Sequence, residues 1–344
     1  MATVAGGKRL DLRYSHTVGF MAVEGRGFTL PVDMAISREG KVYVVSRSNA
    51  DEPQGVRVGI AGVDHQYFGH FGSYGSGPGQ FMWPTSLAFD SQDHLYLADE
   101  YLHRITIFDK DGNYLDHWGT HGRGELDGPS GLALDAQDTL YVVDHKNHRV
   151  QRFTTDGKYL GQWGSFGRGP GQFNLPWGIT VGLDGNVYVA DWRNDRIQKF
   201  SAEGKFLASF GSRGRGDGQF HRPSSVAVDG EGYIYVADWG NHRVQVLASD
   251  GTFVLKLRGQ ATLSPWAVEY LRANQDELEA RALFNPYVQV DTDDPYEVSA
   301  RTEPYFWGPI SVKMDRKGRL YVLESNRHRF QVYRREGVRL AKGH

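Results

Sequence analysis

A unit of about 45 residues recurs along almost the whole chain, and this period constrains the fold more than any single residue does. The tetrapeptide Asn-His-Arg-Val marks the unit at 147–150 and again at 241–244. Each unit opens with a proline and continues through an alternating apolar run, an Asp/Gly turn and a tyrosine-centred run that typically ends in aspartate. The opening prolines are Pro31, Pro84, Pro129, Pro176, Pro223 and Pro309. These positions predict six structural units.

Within one unit the pattern predicts four short strands. In the fourth unit, the successive runs cover 179–181, 187–191, 194–200 and 206–210, with Asp/Gly/Asn turns between them. Four-stranded units with a period of roughly 40 to 50 residues are typical of propeller blades and not of helical solenoids. The sequence therefore predicts an all-β fold, a six-bladed β-propeller of four-stranded antiparallel blades.

The whole chain is predicted to form a single propeller domain. Residues 10–30 precede the first blade, and Thr17 to Val23 within them are predicted to form the outer strand of the sixth blade, so that the two ends of the chain close the ring. The predicted boundaries are 31–83 for blade one, 84–128 for blade two, 129–175 for blade three, 176–222 for blade four, 223–258 for blade five, 259–308 for an insertion and 309–340 for blade six.

The insertion 259–308 lies between blades five and six. Ser264-Pro265 is a typical helix start, and 266–283 carries spaced apolar residues among charges, so one amphipathic helix is predicted. An acidic stretch follows at 291–297. The sequence leaves three roles open for this segment: a lid over the channel mouth, a subunit contact or a cover for a sheet edge.

Composition limits the partners. A formal net charge of −2 gives no overall attraction for nucleic acid, which is therefore not an expected partner. The absence of cysteine excludes disulfides and thiolate chemistry. Residues 1–10 lack the apolar core of a signal peptide, and no apolar stretch reaches the roughly 20 residues needed to span a bilayer. We therefore expect a soluble cytoplasmic protein with no membrane contact, while the oligomeric state stays open.

Residues that recur in most blades are expected to form the framework. The motif pairs an aspartate with an arginine five residues later, and the arginine follows a histidine that is replaced by Asp195 in blade four. The recurring residues are Asp99, Asp144, Asp191, Asp238, His103, His148, His242, His328, Arg104, Arg149, Arg196, Arg243 and Arg329. A ring of identical histidines predicts a structural role rather than a catalytic one.

Functional residues are expected where the blades differ. If the strands of a blade are named A to D from the channel outwards, the B/C loops and the D/A links rise from one face. Two irregular segments belong to this face, the long B/C loop of blade one at 46–55 and the insertion 259–308. At the channel mouth on this face, catalytic roles are predicted for Arg47 as an anion-binding group, His145 as a general acid or base, and Asp33 or Glu324 to activate water. Predicted substrate-binding residues are Tyr101, Lys146, Trp177, Trp192, Arg193, Trp239, Tyr305 and Trp307.

The repeats resemble those of the NHL family from Pro31 to Tyr333. The matching motifs include the Gly-Arg-Gly-Pro-Gly-Gln-Phe run at 167–173, Val-Ala-Asp at 236–238 and Asn-His-Arg-Val-Gln-Val at 241–246. This family includes propellers that bind RNA or protein and a zinc-dependent amidating lyase. The resemblance to the lyase extends to the position of Arg47, where the lyase has an active-site arginine.

The resemblance to the lyase fails at its zinc ligands. The lyase has a histidine after the opening proline of blades two, four and six, where this chain has Thr85, Trp177 and Ile310. None of these side chains replaces an imidazole on zinc, so no metal ligand is predicted here and the zinc-dependent reaction is not expected.

Two classes of function remain. The first is a small-molecule-binding propeller, an enzyme of lyase or hydrolase type that acts on a small anionic or carbonyl substrate at the channel mouth. The second is a non-catalytic scaffold that binds a protein, and less readily RNA, on the same face. No organic cofactor motif is present, and a divalent metal in the channel remains an open alternative.

Overall fold

The computed structural model of the chain describes residues 10–48, 52–119, 125–288 and 291–336. It contains six four-stranded antiparallel sheets, which confirms the predicted six-bladed β-propeller. Strand A of each blade lies next to the central channel and begins at or just after the opening proline.

Five blades are continuous in sequence, and strand β1 (Leu12–Val18) precedes them. Blade one comprises β2 (Pro31–Ile36), β3 (Val42–Ser46), β4 (Arg57–Ala61) and β5 (Tyr67–Phe71), and the linker after it holds the short strands β6 (Ser73–Tyr74) and β7 (Gln80–Phe81). Blade two comprises β8 (Pro84–Phe89), β9 (Leu95–Asp99), β10 (Arg104–Phe108) and β11 (Tyr114–Trp118). Blade three comprises β12 (Pro129–Leu134), β13 (Leu140–Asp144), β14 (Arg149–Phe153) and β15 (Tyr159–Trp163). Blade four comprises β16 (Ile179–Val181), β17 (Val187–Asp191), β18 (Arg196–Phe200) and β19 (Phe206–Phe210). Blade five comprises β20 (Pro223–Val228), β21 (Ile234–Asp238), β22 (Arg243–Leu247) and β23 (Phe253–Leu257).

Blade six closes the ring with strands from both ends of the chain. Its order is β24 (Pro309–Met314), β25 (Leu320–Glu324), β26 (Arg329–Arg335) and then β1, which pairs antiparallel with β26. The outer strand therefore begins and ends earlier than the predicted Thr17 to Val23. It ends at Val18 because Gly19 has a φ of +103°, a conformation that suits glycine and turns the chain out of the sheet.

The core lies between neighbouring blades. Val45 and Val58 of blade one pack with Leu87 and Leu97 of blade two, and all four are almost fully buried. Each such side chain contributes about 1.5–3 kcal/mol through its burial. The alternation in the sequence arises because strands B and C present side chains to both neighbouring blades.

A buried tyrosine on strand B fixes the A/B turn in four blades. Its hydroxyl donates a hydrogen bond to the aspartate that begins the turn. The pairs are Tyr96–Asp90 at 3.2 Å, Tyr141–Asp135 at 3.1 Å, Tyr235–Asp229 at 2.8 Å and Tyr321–Asp315 at 3.0 Å. The same aspartates also accept backbone N–H groups of the turn, so these carboxylates belong to the framework.

The recurring acid–arginine pairs hold each blade to the linker before it. Asp238 accepts a hydrogen bond from Arg243 Nε at 2.7 Å, and Arg243 donates its other N–H groups to linker carbonyls, including that of Arg215 at 2.8 Å. Equivalent pairs are Asp144–Arg149 at 2.7 Å, Asp191–Arg196 at 2.8 Å and Glu324–Arg329 at 2.9 Å. These carboxylates are fully buried, and each is satisfied within its own blade and linker.

The predicted helical insertion is present, but it contains three helices instead of one. They are α1 (Pro265–Ala273), α2 (Gln275–Ala282) and α3 (Pro295–Arg301). Ser264 caps α1 as expected, because its side chain accepts a hydrogen bond from Ala267 N at 3.2 Å. The predicted continuous helix is interrupted at Asn274, whose φ and ψ of −126° and 85° are not helical.

Helix α1 covers an edge between blades six and one. Trp266 is 1% exposed, contacts the rings of Phe28 and Tyr67, and donates from Nε1 to the carbonyl of His65 at 2.6 Å. Of the three roles considered for the insertion, α1 therefore provides the edge cover. Helix α3 lies elsewhere, against the B/C loop of blade five, where Tyr296 contacts the ring of His242.

None of the described helices is long and apolar enough to cross a membrane.

Candidate ligand-binding site at the channel mouth

Three side chains from blades one and three meet around the Glu100 carboxylate of blade two at the channel mouth. Arg47 Nη2 lies 3.7 Å from Oε2, while His145 Nε2 and Lys146 Nζ lie 3.2 Å and 3.3 Å from Oε1. The B/C loops of blades one, two and three supply these residues, because each loop follows the end of strand B. The structure therefore brings together Arg47, His145 and Lys146, as predicted for one face, and adds Glu100 as their common partner.

Glu100 is held in its ionised form. Burial alone would raise its pKa, but the hydrogen bond from His145 and the positive charges of His145, Arg47 and Lys146 outweigh burial and lower the pKa to about 2. Glu100 was not among the site residues predicted from the sequence. Its position in the sequence could have indicated a place at the channel mouth, because Glu100 directly follows Asp99 just as His145 and Trp192 follow the recurring aspartates of blades three and four.

Arg47 is more deeply buried than an ordinary loop arginine. Its Nε donates to the carbonyl of Pro84 at 2.7 Å, and its guanidinium lies 4.6 Å from the centre of the Trp83 ring. Burial lowers its pKa to about 10, although the carboxylates of Glu100 and Asp99 oppose this shift, so the group stays charged at neutral pH. Its Nη2 is buried and makes no hydrogen bond within the described residues.

His145 has one ring nitrogen without a partner. Its Nε2 donates to Glu100, and its Nδ1 is buried without a hydrogen-bond partner among the described residues. The ring also packs edge-on against Trp177 at 5.3 Å. A neutral imidazole with its proton on Nε2 presents a free lone pair on Nδ1, which is what a general base requires.

Asp33 lies inside the channel and not at the mouth. It is 6% exposed and accepts hydrogen bonds from Ser86 Oγ at 2.7 Å and Ser311 Oγ at 2.6 Å. Lys313 Nζ is 3.3 Å from its carboxylate and balances the charge. Asp33 therefore links blades one, two and six, and its lone pairs are not free to activate water.

The channel offers little room for a ligand at the level of Asp33. The cavity lined by Asp33, Trp177 and Lys313 has a volume of about 20 Å³. Lys313 supplies the positive charge that a divalent cation would otherwise bring to Asp33. Across the described ranges, no three His, Asp or Glu side chains are grouped in a way that could hold a metal ion.

Glu324 occupies the position of the recurring aspartate. It pairs with Arg329 across strands β25 and β26, accepts from Gln331 Nε2 at 2.8 Å, and is fully buried. The predicted catalytic role for Glu324 is therefore wrong. In this blade a glutamate occupies the position of the recurring aspartate, and its side chain is buried in the sheet instead of lying at the channel mouth.

The predicted aromatic residues do not converge on one pocket. Tyr101 is 64% exposed beside the mouth. Trp192 contacts Arg193 at 5.6 Å and Arg222 at 5.0 Å in blade four. The remaining predicted aromatic residues, Trp239, Tyr305 and Trp307, belong to the region of blades five and six.

The rings of Tyr305 and Trp307 each lie close to an arginine side chain and belong to the structural framework. Arg258 lies 5.4 Å from the centre of the Tyr305 ring, and Arg327 lies 5.2 Å from that of Trp307. Trp307 also packs edge-on against Tyr296 at 5.8 Å. These contacts fix the end of the insertion against blade six.

A larger cavity opens at the opposite end of the channel. It has a volume of about 610 Å³ and is lined by the A/B turns of blades one, two, three and six. Many of its carboxylates are the turn aspartates that the framework tyrosines and backbone N–H groups already satisfy. This cavity was not anticipated from the sequence, because its residues repeat from blade to blade.

Comparison with known protein families places NHL repeats in four blades. The NHL repeat matches residues 81–108, 126–153, 173–200 and 220–247. These segments run from the end of each linker through strand C of blades two to five.

Curated relatives match only part of the chain. Protein brain tumor of Drosophila melanogaster is 39% identical over 57 residues, which is 17% of this chain and 6% of that protein. The human NHL repeat-containing protein 3 is 30% identical over 94 residues, which is 27% of this chain and 26% of that protein. The chain thus spans about a quarter or less of the length of these relatives.

Solved structures match the whole ring. A structural genomics protein of unknown function from Bacteroides thetaiotaomicron superposes with a TM-score of 0.61 and 18% identity, covering 95% of this chain and 77% of that one. Inactive virginiamycin B lyase from Staphylococcus aureus with quinupristin superposes with a TM-score of 0.56 and 11% identity, covering 96% and 90%. At these identities the likeness concerns the fold. The chain is a six-bladed β-propeller that carries four NHL repeats.

Proposed function

We propose that this propeller binds a small anionic molecule at the channel mouth formed by blades one to three. The observation that carries the proposal is Arg47 Nη2, which makes no hydrogen bond within the described residues and lies beside Glu100, His145 and Lys146. Arg47 and Lys146 bring two positive charges and Glu100 brings one negative charge, so the cluster keeps an excess positive charge. A carboxylate or phosphate of a ligand balances that excess.

The roles of the residues follow from their contacts. Arg47 is positioned by Pro84 and Trp83, so its guanidinium is preorganised to receive an anion. Lys146 is 42% exposed and supplies the second cation from the solvent side. Glu100 orients His145, and Trp177 limits the movement of its ring.

The same arrangement supports a lyase or hydrolase reaction. His145 Nδ1 acts as the base that removes a proton from a carbon next to a carbonyl group, or from water, while Arg47 and Lys146 hold the anionic group. The similar fold of virginiamycin B lyase provides a precedent for lyase chemistry on a propeller, but this likeness assigns no role to any residue of this chain.

The test is a thermal-shift and calorimetric screen of small carboxylates and phosphates against the wild type. A ligand at 100 times its Kd adds about 2.7 kcal/mol to the unfolding free energy. The informative variants are Lys146→Ala and Arg47→Lys, the second of which keeps the charge but loses the planar donors. Arg193→Ala is the matched control, since Arg193 occupies the place of Lys146 in blade four and lies outside the Glu100 cluster.

We expect a ligand whose stabilising effect disappears in Lys146→Ala and Arg47→Lys and persists in Arg193→Ala. Equal loss in all three variants would place binding on the face as a whole and contradict a site at Glu100. Catalysis is then tested with His145→Gln, which should retain ligand binding and lose turnover.

A second candidate function, binding of an acidic protein segment, is favoured by a separate cleft on the same face. Arg168, Arg193 and Arg213 expose their side chains around a cleft of about 190 Å³ in blade four. The reversed charge in Arg168→Glu and Arg213→Glu should abolish binding of a glutamate-rich peptide and leave small-anion binding at Glu100 unchanged. A peptide that binds both variants as well as the wild type rejects this alternative.

A further inference from the structure

A further cavity, apart from the Glu100 cluster, lies between blades five and six beside α3. Its volume is about 460 Å³, which falls in the size range of small-molecule sites, about 300–1,000 Å³. The B/C loop of blade five, the D/A linker before it, the start of α3 and one loop of blade six enclose it. The lining residues that matter below are Arg213, Arg215, Trp239, Gly240, His242 and Tyr296.

Gly240 allows His221 to pack against the loop that lines this cavity. The equivalent positions of blades three and four carry the long side chains of Lys146 and Arg193. A Cβ atom at 240 would overlap the ring of His221 and come within 2.6 Å of its carbonyl oxygen. The close approach of His221 therefore requires glycine at this position.

Aromatic surfaces line the cavity. Trp239 lies on the loop of blade five, and Tyr296 projects from the first turn of α3. Tyr296 is held edge-on by His242 at 5.6 Å and by Trp307 at 5.8 Å, yet remains 49% exposed. A fixed and half-exposed aromatic ring offers a surface for a second ring to pack against.

His242 adds a hydrogen-bond donor. Its Nδ1 accepts from Gly308 N at 3.0 Å. Burial, together with the charge of Arg258, lowers its pKa to about 4, so the ring is neutral at pH 7. A neutral ring that accepts at Nδ1 carries its proton on Nε2, which is then available as a donor.

Two exposed arginines reach the open side. The side chains of Arg213 and Arg215 are 80% and 60% exposed. Arg215 lies 3.7 Å from Asp294 and 3.9 Å from Asp293, and Arg213 Nε lies 4.0 Å from Asp195. These ion pairs are longer than hydrogen bonds, so the guanidinium N–H groups of both arginines can still donate to the anionic group of a ligand.

We infer that this cavity is a binding site for a small planar aromatic acid, whose ring packs against Trp239 and Tyr296 and whose carboxylate or phosphate meets Arg215 and Arg213. A ring without a charge lacks the arginine contacts, and an anion without a ring leaves the aromatic surfaces unused. The site is independent of the function proposed for the Glu100 cluster.

The experiment uses the full chain and four probes: phenyl phosphate, indole-3-acetate, inorganic phosphate and indole. Binding is measured by calorimetry and by the change in tryptophan fluorescence. We expect the two aromatic acids to bind and the two fragments to bind at least about tenfold more weakly, since both halves of the ligand contribute. Equal binding of phenyl phosphate and inorganic phosphate would overturn the aromatic part of the inference.

Substitutions of three lining residues test whether the aromatic acids bind in this cavity. Tyr296→Ala removes an exposed ring without opening the core and should weaken the aromatic acids by about tenfold. Arg215→Gln should weaken the two acids and leave indole unchanged. Gly240→Ala should block the cavity by displacing His221, and its folding is checked by circular dichroism.

A matched control separates this site from the channel mouth. Tyr101→Ala removes an exposed ring from the B/C loop of blade two and should leave aromatic-acid binding unchanged. Aromatic-acid binding that survives Tyr296→Ala and Arg215→Gln, or that is lost in Tyr101→Ala, overturns the inference.

Discussion

Asp195 accepts a hydrogen bond from Arg222 N at 2.7 Å and thereby replaces a histidine that makes the same contact in four other blades. In those blades, the Nδ1 atom accepts from a backbone N–H just before the next opening proline or strand. The pairs are His103–Gly128 at 3.2 Å, His148–Leu175 at 3.0 Å, His242–Gly308 at 3.0 Å and His328–Leu30 at 3.0 Å. The feature that recurs in these five blades is therefore a side-chain hydrogen-bond acceptor that links one blade to the next.

This equivalence predicts the effect of two substitutions at one position. Asp195→His should keep the acceptor and the left-handed backbone, since Asp195 has a φ of 55° and His148 one of 53°. Asp195→Ala leaves Arg222 N without a partner and adds strain, so it should cost about 1–3 kcal/mol. Urea unfolding of both variants checks this, and equal losses would show that the contact itself contributes nothing.

Glu100 predicts a difference in stability that depends on pH. Its folded pKa of about 2 lies below the ordinary 4.5, so its contribution is complete above pH 4.5 and is lost as the pH falls towards 2. Glu100→Gln leaves Arg47 without its counter-ion and should cost about 1–3 kcal/mol at pH 7. The gap between variant and wild type should shrink below pH 4.5 in denaturant unfolding. Glu279→Gln, at an exposed carboxylate of α2 that forms no ion pair among the described residues, is the control and should show no such gap.

His242 predicts a pH effect of the same sign at higher pH. Its folded pKa of about 4 lies below the ordinary 6.5, so the unfolded chain takes up a proton between these values while the folded chain does not. Stability should therefore fall as the pH drops from 6.5 to 4. His16, whose pKa is also lowered to about 4 by burial and by His65, contributes in the same direction.

The variant His242→Asn isolates this contribution. Asparagine tolerates a φ of 51° and offers an oxygen to Gly308 N, but it does not titrate. The unfolding free energy of the variant should depend less steeply on pH between 6.5 and 4 than that of the wild type. Parallel curves would assign the acid sensitivity to other histidines.

The closing strand gives a prediction about the ends of the chain. Deletion of residues 1–18 removes β1, exposes the edge of β26 and uncovers the buried ring of Phe330, which packs with Val18. We expect the melting temperature to fall by more than about 5 °C. Deletion of residues 1–9 keeps the strand and is the control. A deletion of 1–18 that melts like this control would show that the sheet is stable with three strands in blade six.

The fold was predictable because the same pattern of strands and turns recurs in six successive units. Alternation gives the strands, and the recurring Pro, Tyr and Asp positions give their order and their turns. The deviations arise where a single local residue decides the outcome. Gly19 ends the closing strand early, and Asn274 divides the predicted helix into two.

The candidate site was predictable only as a set of loops. The sequence indicates that Arg47, His145 and Lys146 share a face, but the burial of Arg47 and its meeting with Glu100 depend on how three blades pack side by side. Asp33 and Glu324 were misassigned for the same reason. A carboxylate at the end of a strand gives no sign of whether its partners are solvent or, as here, Lys313 and Arg329.

The pairing of β1 with β26 also sets when the molecule can become complete during its synthesis. Of the strands in the described residues, β1 is the first to leave the ribosome, and β26, which pairs with it, is the last. Blades one to five can assemble in order while β1 waits unpaired, and the ring closes only after Arg335 has emerged. A stalled or shortened nascent chain therefore presents an open arc with two unmatched blade surfaces, which is the form that chaperones and proteases of the cell would meet.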